Sequence, residues 1–493
     1  MFETAEVGHE ISKREFEKNV LDLRTKLLKV QQDLREAKFP IIVIVSGVET
    51  AGKSEVVNRL TEWLDARGVQ SVAFWDESDE ERERPPHWRF WRRLPANGTI
   101  GVLFGSWYTQ PIVQRAFRDI GRKRYEAALN RIARLENMLA DDGAVLVKLW
   151  FHVSKKEQAR RLKKIRRDHK RKLTPYEKNY SKMYNRFAKV SEVAIRATDQ
   201  GYAPWHIIDS GDAHYRDLMA GRILLDAMER GLARKRGAVA KEPRAPHVED
   251  AGRHVNVLTR LDLKARLAPA KYEDALEHYQ RKLNALAWKL YNRKRSTVIV
   301  FEGSDAAGKG GAIRRVAKAL DTRLFRVIPV AAPTDEERAH HYLWRFWRHL
   351  PRGGYFTIYD RSWYGRVLVE RVEGFARPDE WGRAYEEITD FEEQLAEHGI
   401  TVCKFWLQIS AQEQLRRFKE RQRISYKQHK ITAEDWRNRK QWDAYEAAID
   451  EMVGRTSTAL APWTLVAAND KRHARVEVIR TICERIETAL DQD

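Results

Sequence analysis

The chain has 493 residues, which at roughly 100 to 200 residues per domain predicts two or more domains. Its net charge of +20, from 91 Lys and Arg against 71 Asp and Glu, predicts a polyanionic partner such as DNA, RNA, an anionic membrane or inorganic polyphosphate. Two cysteines, Cys403 and Cys483, argue against a disulfide framework or a zinc site. The charged N-terminus and the short aliphatic runs predict no signal peptide and no membrane span, and hence a cytoplasmic protein.

The sequence contains one internal repeat of domain size. Gly47 and Gly303 are 256 positions apart (303 − 47), and the same offset relates the lysines six residues further on, both copies of WRFWR and both copies of SWY. It also relates the apolar stripe of the first long helix in each half. We therefore predict a tandem duplication, with domains at 1–232 and 260–493 and a basic linker without apolar periodicity at 233–259.

Each half predicts the same elements in the same order. A long amphipathic helix comes first, followed by an apolar strand that turns at a glycine into a loop and a second helix. Three further strands are predicted in each half, at 99–104, 144–153 and 205–209 and at 355–360, 401–409 and 463–468. Apolar strands alternating with helices predict a parallel sheet covered on both faces. The fold class is α/β, with two tandem P-loop kinase-like domains, each with a helical lid.

The lid is predicted from a basic helix that follows the third of these strands in each half. Ser154 with Glu157, and Ser410 with Glu413, have the spacing of a capping box at its start. Such a charge run is usually a solvated helical face, but P-loop kinases of this type carry a lid over the phosphates at this place, which favours electrostatic guidance of a phosphate chain. The WRFWR segments mix aromatic and arginine residues, as single-strand nucleic-acid sites do, but their spacing favours packing in the core.

Both halves carry a phosphate-loop pattern, and the first half matches the consensus sequence better. A loop of the form GxxxxGK[ST] surrounds phosphate with backbone N–H groups, directs a lysine to the phosphates and uses a hydroxyl as metal ligand. The first half has the complete pattern, GVETAGKS, from Gly47 to Ser54. The second has GSDAAGKG, from Gly303 to Gly310, in which glycine replaces the hydroxyl residue.

The residues that would hold a metal favour the second half instead. Phosphoryl transfer needs a divalent cation, which needs carboxylates from the end of a neighbouring strand. Asp360 ends such a strand with Arg361 beside it, whereas Phe104 and Gly105 occupy these positions in the first half. Asp305, inside the second loop, would repel phosphate unless a cation lay between them. We predict that Asp305 and Asp360 bind Mg²⁺, with Mn²⁺ as the alternative, and that only the second half is active.

The motifs together resemble one family. FEGSDAAGKGG, LWRFWRHLPRGG, YDRSWYGRVLVERVEGF and QISAQEQLRRFKER are similar to the polyphosphate kinase 2 family, which uses inorganic polyphosphate as phosphoryl donor and has a fold like that of thymidylate kinases. The complete second copy and the degenerate first copy resemble its two-domain, AMP-phosphorylating branch. The resemblance implies Mg²⁺-dependent, reversible transfer from polyphosphate to AMP.

Site residues follow from the resemblance one by one. It implies a catalytic set of Asp305, Lys309, Asp360, Arg361 and Arg421. The implied phosphate-binding set contains the loop and two lid arginines: Gly303, Ala306, Ala307, Gly308, Lys309, Gly310, Arg416 and Arg417. Glu370 matches an acid of the family that we assign to nucleotide binding. The arginines would clamp phosphate oxygens as permanently charged forks.

Three other functions remain open at this point. One is a polyphosphate-dependent ADP or GDP kinase that forms nucleoside triphosphates, and another is an ATP-dependent nucleotide kinase. The third is a basic nucleic-acid-binding protein with vestigial loops. We favour polyphosphate and AMP or ADP as partners, with no nucleic acid and no membrane, and we leave a homo-oligomer open. The first half would act as a scaffold, or retain anion binding or dimer packing.

Overall fold

The computed structural model describes residues 1–168, 182–238 and 257–491. The chain divides into two compact units, and each contains a short segment from the other half of the sequence. Unit 1 consists of Met1–Glu77, Arg89–Glu242 and Thr334–His341; unit 2 consists of Ser78–Trp88, Pro243–Pro333 and Tyr342–Asp493. The predicted linker falls mainly on 239–256, outside the described residues, so the domain boundaries stay a prediction.

Unit 1 is built around a five-stranded parallel sheet with strand order β2-β3-β1-β4-β5. The strands are β1 (Ile41–Gly47), β2 (Val69–Ala73), β3 (Ile100–Phe104), β4 (Val145–His152) and β5 (Trp205–Asp209). Its helices are α1 (Lys13–Ala37), α2 (Lys53–Trp63), α4 (Trp88–Trp91), α5 (Thr109–Phe117), α6 (Arg122–Asp141), α7 (Lys155–Asp168), α8 (Tyr184–Thr198), α9 (Ala213–Ala238) and, from the second half, α12 (Asp335–Arg338). Helix α4 begins at Trp88, which is the last residue of the segment Ser78–Trp88 that belongs to unit 2. Short 3₁₀ helices lie at Phe2–Ala5 and Ala66–Gly68.

Unit 2 repeats this plan, with strand order β10-β9-β6-β8-β7. The strands are β6 (Thr297–Gly303), β7 (Phe325–Pro329), β8 (Phe356–Asp360), β9 (Thr401–Gln408) and β10 (Trp463–Ala467). Its helices are α3 (Asp79–Arg82, from the first half), α10 (Pro269–Asn292), α11 (Lys309–Ala319), α13 (Trp344–Trp347), α14 (Val369–Val372), α15 (Pro378–Glu397), α16 (Ala411–Arg423), α17 (Ala433–Lys440), α18 (Trp442–Thr456) and α19 (Lys471–Asp491). Short 3₁₀ helices lie at Val257–Arg260, Trp363–Arg366 and Ser425–Lys430.

The predicted α/β class and the parallel sheets are confirmed, with one omission in each half. Each unit has an additional edge strand, β2 or β7, in which no residue is buried. These strands lack the continuous apolar run that marks the central strands, because one edge and much of both faces meet solvent. The central strands β1 and β6 are almost wholly buried, and each carries a phosphate loop at its carboxyl end.

The predicted apolar stripes form the helical side of each core. In unit 1, Leu23, Leu27, Val30 and Leu34 of α1 are buried against the sheet and α9. The matching face of α10 is buried in unit 2. Burying one such aliphatic side chain contributes about 1.5 to 3 kcal/mol, so four of them fix the helix firmly. The predicted core packing of both WRFWR segments is confirmed, since every aromatic side chain in them is buried.

A buried ion pair occurs in the same place in both units. Lys404 Nζ on β9 lies 2.7 Å from Glu392 Oε2 on α15 and donates to the Tyr364 hydroxyl oxygen and the Thr456 carbonyl oxygen. Lys148 of β4 makes the corresponding 2.7 Å pair with Glu136 in unit 1. Burial raises the pKa of Glu392 and lowers that of Lys404, so each needs the other to remain charged. Because both units keep this pair, it serves the fold.

The exchanged segment Ser78–Trp88 is an integral part of unit 2. Glu83 Oε2 lies 2.8 Å from Arg352 Nε, and the buried Arg84 donates from Nε to the Leu350 carbonyl oxygen at 3.1 Å. The buried His87 ring Nδ1 lies 2.9 Å from Gln394 Oε1 on α15. Unit 2 is therefore not complete within the second half of the sequence.

Candidate functional site

The loop of unit 2 runs from the end of β6 to the start of α11. A Cβ at Gly303 would lie 2.6 Å from the Leu407 carbonyl oxygen, so only glycine fits where the chain leaves the sheet. Ala306, with φ of 64°, and Gly308, with φ of 113°, turn the loop so that α11 begins at Lys309. The N-terminus of this helix presents unpaired backbone N–H groups, as an anion site requires.

Lys309 lies beneath the loop. Its Nζ donates to the Gly303 carbonyl oxygen at 2.6 Å. Burial and the neighbouring Arg361 guanidinium lower its pKa, while Asp305, Glu302 and Asp360 act in the opposite direction. A phosphate entering the loop would add negative charge and favour the protonated lysine further. The predicted position of Lys309 in the loop is therefore supported by its surroundings.

The structure brings Asp305 and Arg361 together beside Asp360. Phe301 of β6 pairs with Asp360 of β8, so the loop and the end of β8 lie at the same edge of the sheet. Arg361 Nη2 lies 3.2 Å from Asp305 Oδ1. Burial acts to lower the Arg361 pKa, but Asp305 and Glu302 raise it above its ordinary value. Among the described residues, no side chain donates a hydrogen bond to the Asp360 carboxylate.

Arg361 adopts a backbone conformation that arginine rarely takes. Its φ is 66°, in the left-handed region that costs a non-glycine residue about 1 to 3 kcal/mol. Its backbone N–H donates to the Phe301 carbonyl oxygen at 3.0 Å, which holds the turn against β6. Retaining an arginine at a strained position indicates that the guanidinium has a role there.

The donor set suits a hard divalent cation. Asp305 and Asp360 offer only carboxylate oxygens, the ligands that Mg²⁺ and Mn²⁺ prefer. Within the described ranges no group of three or more His, Cys, Asp or Glu side chains is placed to hold a metal. Two carboxylates with phosphate oxygens and water complete the usual shell of a phosphate-bound magnesium.

Glu302 is a site residue that the sequence analysis missed. It is buried one residue before Gly303, and its Oε1 accepts a hydrogen bond from the Ser362 hydroxyl at 2.8 Å. Burial raises its pKa, and Lys309 and Arg361 oppose that rise. The corresponding residue of the first half is Ser46. This exchange of a buried acid for serine at the loop is the signal that could have identified it.

The predicted lid arginines point in different directions. Arg417, on α16, is buried and donates to the carbonyl oxygens of Ala306 and Ala307 at 2.9 Å, so it holds the loop in shape. Arg416 is 60 % exposed and pairs with Glu413, whose backbone N–H is capped by Ser410 as predicted. Arg421 lies on the last turn of α16.

Glu370, at the start of α14, pairs with Arg366 at 3.2 Å. The structure thus gives this predicted nucleotide-binding acid a protein partner on the adjoining segment.

A second contact that the sequence analysis missed comes from α17. Asn438 Nδ2 donates to Asp305 Oδ2 at 2.9 Å, while Asn438 Oδ1 is buried without a hydrogen-bond partner among the described residues. Asn438 is 133 positions from Asp305, and nothing in its local sequence marks it.

The loop of unit 1 is arranged differently. Lys53 Nζ donates to the Gly47 carbonyl oxygen at 3.0 Å and lies 3.4 Å from Glu49 Oε2. Phe104 ends β3 where Asp360 ends β8, and Gly105 follows with φ of 75°. Unit 1 therefore has a loop lysine and a loop acid, paired with each other, and no carboxylate at the end of β3.

These features define a kinase of the phosphate-loop class. Comparison with protein-family models matches the description Polyphosphate kinase 2 (PPK2) at residues 10–236 and again at 266–493. The chain belongs to the polyphosphate kinase 2 family.

Full-length relatives and a solved structure agree with this assignment. The chain is 51% identical over 496 residues to the polyphosphate:AMP phosphotransferase of Pseudomonas aeruginosa, with 100% of each chain covered. It is 37% identical to the protein of that name from Acinetobacter johnsonii, covering 92% of each. A crystal structure from Pseudomonas aeruginosa PA01 described as polyphosphate kinase 2 matches with a TM-score of 0.90 and 49% identity over 100% of both chains. No helix among the described residues is long and apolar enough to cross a membrane.

Proposed function

We propose that unit 2 transfers a phosphoryl group from inorganic polyphosphate to AMP, giving ADP and a polyphosphate shorter by one phosphate, and that the reaction is reversible. The observation that carries the proposal is the convergence of Asp305, Lys309, Asp360 and Arg361 at one loop, with no equivalent acid at the end of β3 in unit 1. The full-length relatives named polyphosphate:AMP phosphotransferase support the choice of donor and acceptor.

Charge neutralisation and positioning would provide most of the catalysis. The loop N–H groups and the Lys309 ammonium would donate hydrogen bonds to phosphate oxygens. Arg361, at the end of β8, lies next to the same loop. Asp305 and Asp360 would hold Mg²⁺, or Mn²⁺ in its place. When bound, this cation would offset the negative charge of the transferring phosphoryl group. The acceptor oxygen of AMP is already anionic at neutral pH, so the site needs no strong general base.

The lid would complete the site over the phosphate chain. Arg416 and Arg421 lie on the same helix, α16, which adjoins the loop through Arg417. We assign Arg416 and Arg421 to polyphosphate binding and Arg417 to support of the loop, and we place Glu370 near the nucleotide. An exposed guanidinium such as that of Arg416 can exchange its pairing with Glu413 for a phosphate oxygen.

The test is an assay of donor and acceptor. Purified protein with Mg²⁺ and AMP should form ADP from polyphosphate and should not need ATP. ADP and GDP supplied as acceptors in parallel test the polyphosphate-dependent formation of triphosphates. ADP formation from AMP with ATP but not with polyphosphate would overturn the proposal, and so would a clear preference for ADP as acceptor.

The remaining partner assignments are also proposals. We expect a cytoplasmic protein that does not use nucleic acid as partner, although a basic protein binds oligonucleotides weakly through charge alone. Oligonucleotide should therefore compete with polyphosphate only at low salt. Tight, sequence-independent oligonucleotide binding at 200 mM salt without phosphoryl transfer would favour the nucleic-acid alternative.

A further inference from the structure

Helix α17 is held near the phosphate loop by a buried carboxylate, in addition to contacts of Trp436 and Arg439 with α16. Glu373 directly follows α14, and its side chain is only 5% exposed. It accepts hydrogen bonds from Gln441 Nε2 at 3.0 Å and from the Tyr445 hydroxyl at 3.4 Å, and it lies 2.6 Å from Arg437 Nε. Three donors around the end of α17 and the start of α18 thus converge on one acceptor.

The same helix reaches the predicted metal site one residue later. Asn438 follows Arg437 and donates to Asp305 Oδ2, while Arg361 occupies the other oxygen of that carboxylate. Because a helix is rigid over one turn, the ion pair that fixes Arg437 also fixes Asn438. A chain of contacts therefore leads from Glu373 through α17 to Asp305.

Unit 1 has a different residue at the position of Glu373, and the counterpart of α17 lies outside the described residues. Phe117 stands at the position of Glu373, again directly after a helix that follows the third strand. Its ring packs edge-on against Phe187 at 5.8 Å, and Phe187 corresponds to Tyr445 because the lid segment of the second half is two residues longer. The unit without the strand-end acid has an apolar contact where the unit with it has a buried carboxylate.

We propose that Glu373 is a positioning residue that holds α17 against the phosphate loop, so that Asn438 orients the Asp305 carboxylate for the divalent cation. A carboxylate with three donors, one of them charged, makes a stronger and more directional link than two aromatic rings do. Asn438 Oδ1 has no hydrogen-bond partner among the described residues and would be able to accept a hydrogen bond from a water molecule on the cation. The inference rests on the proposed function only in treating Asp305 as a metal-binding residue.

The matched variants are Glu373→Gln and Asp443→Asn. Both remove one negative charge, but Asp443 is exposed, lies on the same helix α18 as Tyr445 and, among the described residues, makes no hydrogen bond or ion pair with α17. Asn438→Ala removes the contact to Asp305 and leaves the carboxylate of Glu373 with its three donors. Together the three variants separate the holding of the helix from the orientation of Asp305.

The first readout is amide hydrogen exchange of the full chain, followed peptide by peptide. We expect Glu373→Gln to speed exchange at 433–440 by about tenfold, which is the opening expected when a charge-assisted hydrogen-bond set is weakened. Exchange in β6 and β9 should stay unchanged and so report an intact fold. Asp443→Asn should match the wild type. Unchanged exchange at 433–440 in Glu373→Gln would overturn the proposal.

The second readout is the Mg²⁺ dependence of ADP formation. Glu373→Gln and Asn438→Ala should both raise the Mg²⁺ concentration for half-maximal rate by at least fivefold, with a smaller change in kcat at saturating Mg²⁺. Faster exchange at 433–440 with unaltered Mg²⁺ dependence would overturn the link to Asp305. A wild-type protein inactive with polyphosphate and AMP would contradict the proposed function instead, and the exchange experiment would still decide whether Glu373 holds α17.

Discussion

The two phosphate loops keep the same lysine but surround it differently. In unit 1, Lys53 pairs with the loop acid Glu49 at 3.4 Å. In unit 2, the loop acid Asp305 pairs with Arg361 and Asn438, and among the described residues Lys309 donates only to the Gly303 carbonyl oxygen. Where the neighbouring strand end offers no arginine to pair with the loop acid, as in unit 1, the acid pairs with the loop lysine instead. For this reason, the complete GxxxxGK[ST] pattern of the first loop is a poor guide to activity.

The residue after the strand end shows the same divergence. Arg361 takes a left-handed φ of 66°, whereas Gly105 takes 75° at the matching place without strain. Once Phe104 stands where the acid would be, an arginine has no function there to offset the cost of its conformation. By contrast, the buried pairs Lys148–Glu136 and Lys404–Glu392 are alike to 0.1 Å, because the sheet needs them in both units.

The largest expected effect is the loss of the acid at the end of β8. Asp360→Asn should lower the rate of ADP formation by about a thousandfold, since it removes a charge that a phosphate-bound cation requires. Phe104→Asp, the matched change in unit 1, should leave the rate within about twofold. Coupled-enzyme detection of ADP measures both. Retention of more than a tenth of the activity by Asp360→Asn would break the comparison.

The buried pairs should respond equally to substitution. Lys404→Met leaves the Glu392 carboxylate buried without its partner and should cost about 3 to 5 kcal/mol of stability. Lys148→Met should cost the same, because the geometry in unit 1 is the same. Calorimetry of the full chain measures both. A cost below 1 kcal/mol in unit 1 alone would mean that unit 1 is not held as its structure indicates.

Arg361→Gly should separate stability from activity. We expect about a hundredfold loss of activity from the missing guanidinium, with stability unchanged or higher by about 1 kcal/mol as the strain disappears. In unit 1, Gly105→Ala should destabilise by about 1 to 3 kcal/mol, since its Cβ would lie 2.8 Å from the Phe74 carbonyl oxygen. Denaturant titration gives both changes. A destabilised Arg361→Gly would show that the arginine serves the fold.

The smallest effect concerns the exchanged segment in unit 2. Arg352 lowers the pKa of Glu83 from its ordinary value of 4.5, so this ion pair stabilises above that value and is lost as pH falls through the lowered pKa. Glu83→Gln should therefore cost about 0.5 to 1 kcal/mol at pH 7 and less at pH 3. Glu386→Gln, an exposed control in unit 2, should show no such dependence. Thermal unfolding at the two pH values distinguishes them.

Sequence reasoning recovered those parts of the molecule whose signals are local. The central strands are continuous apolar runs, and the offset of 256 placed Phe104 against Asp360 without any structure. The edge strands β2 and β7 escaped because they are only partly buried. The exchange of Ser78–Trp88 between the two units also escaped, because its contacts with Arg352 and Gln394 lie far along the chain.

The predicted site residues are likewise those that lie in local motifs, and their roles stay a prediction. Asp305, Lys309, Asp360 and Arg361 lie in motifs, and the structure brings them to one edge of the sheet. Asn438 reaches Asp305 from α17, a helix that has no motif of its own, and Glu373 contacts the same helix. Arg417 looked like a phosphate ligand in sequence, yet its donors face the loop carbonyl oxygens, as those of Arg161 do in unit 1.

The claim that chemistry occurs only in unit 2 is tested most directly by comparing Lys309→Ala with Lys53→Ala in the full chain. Both variants remove a loop lysine, and ADP formation from AMP and polyphosphate is measured at saturating Mg²⁺. The account predicts that Lys309→Ala lowers the rate by at least about a thousandfold, because the positive charge of the loop lysine at the phosphates is removed. It predicts that Lys53→Ala stays within about threefold of the wild type. The reverse order, or an equal loss in both variants, would contradict it.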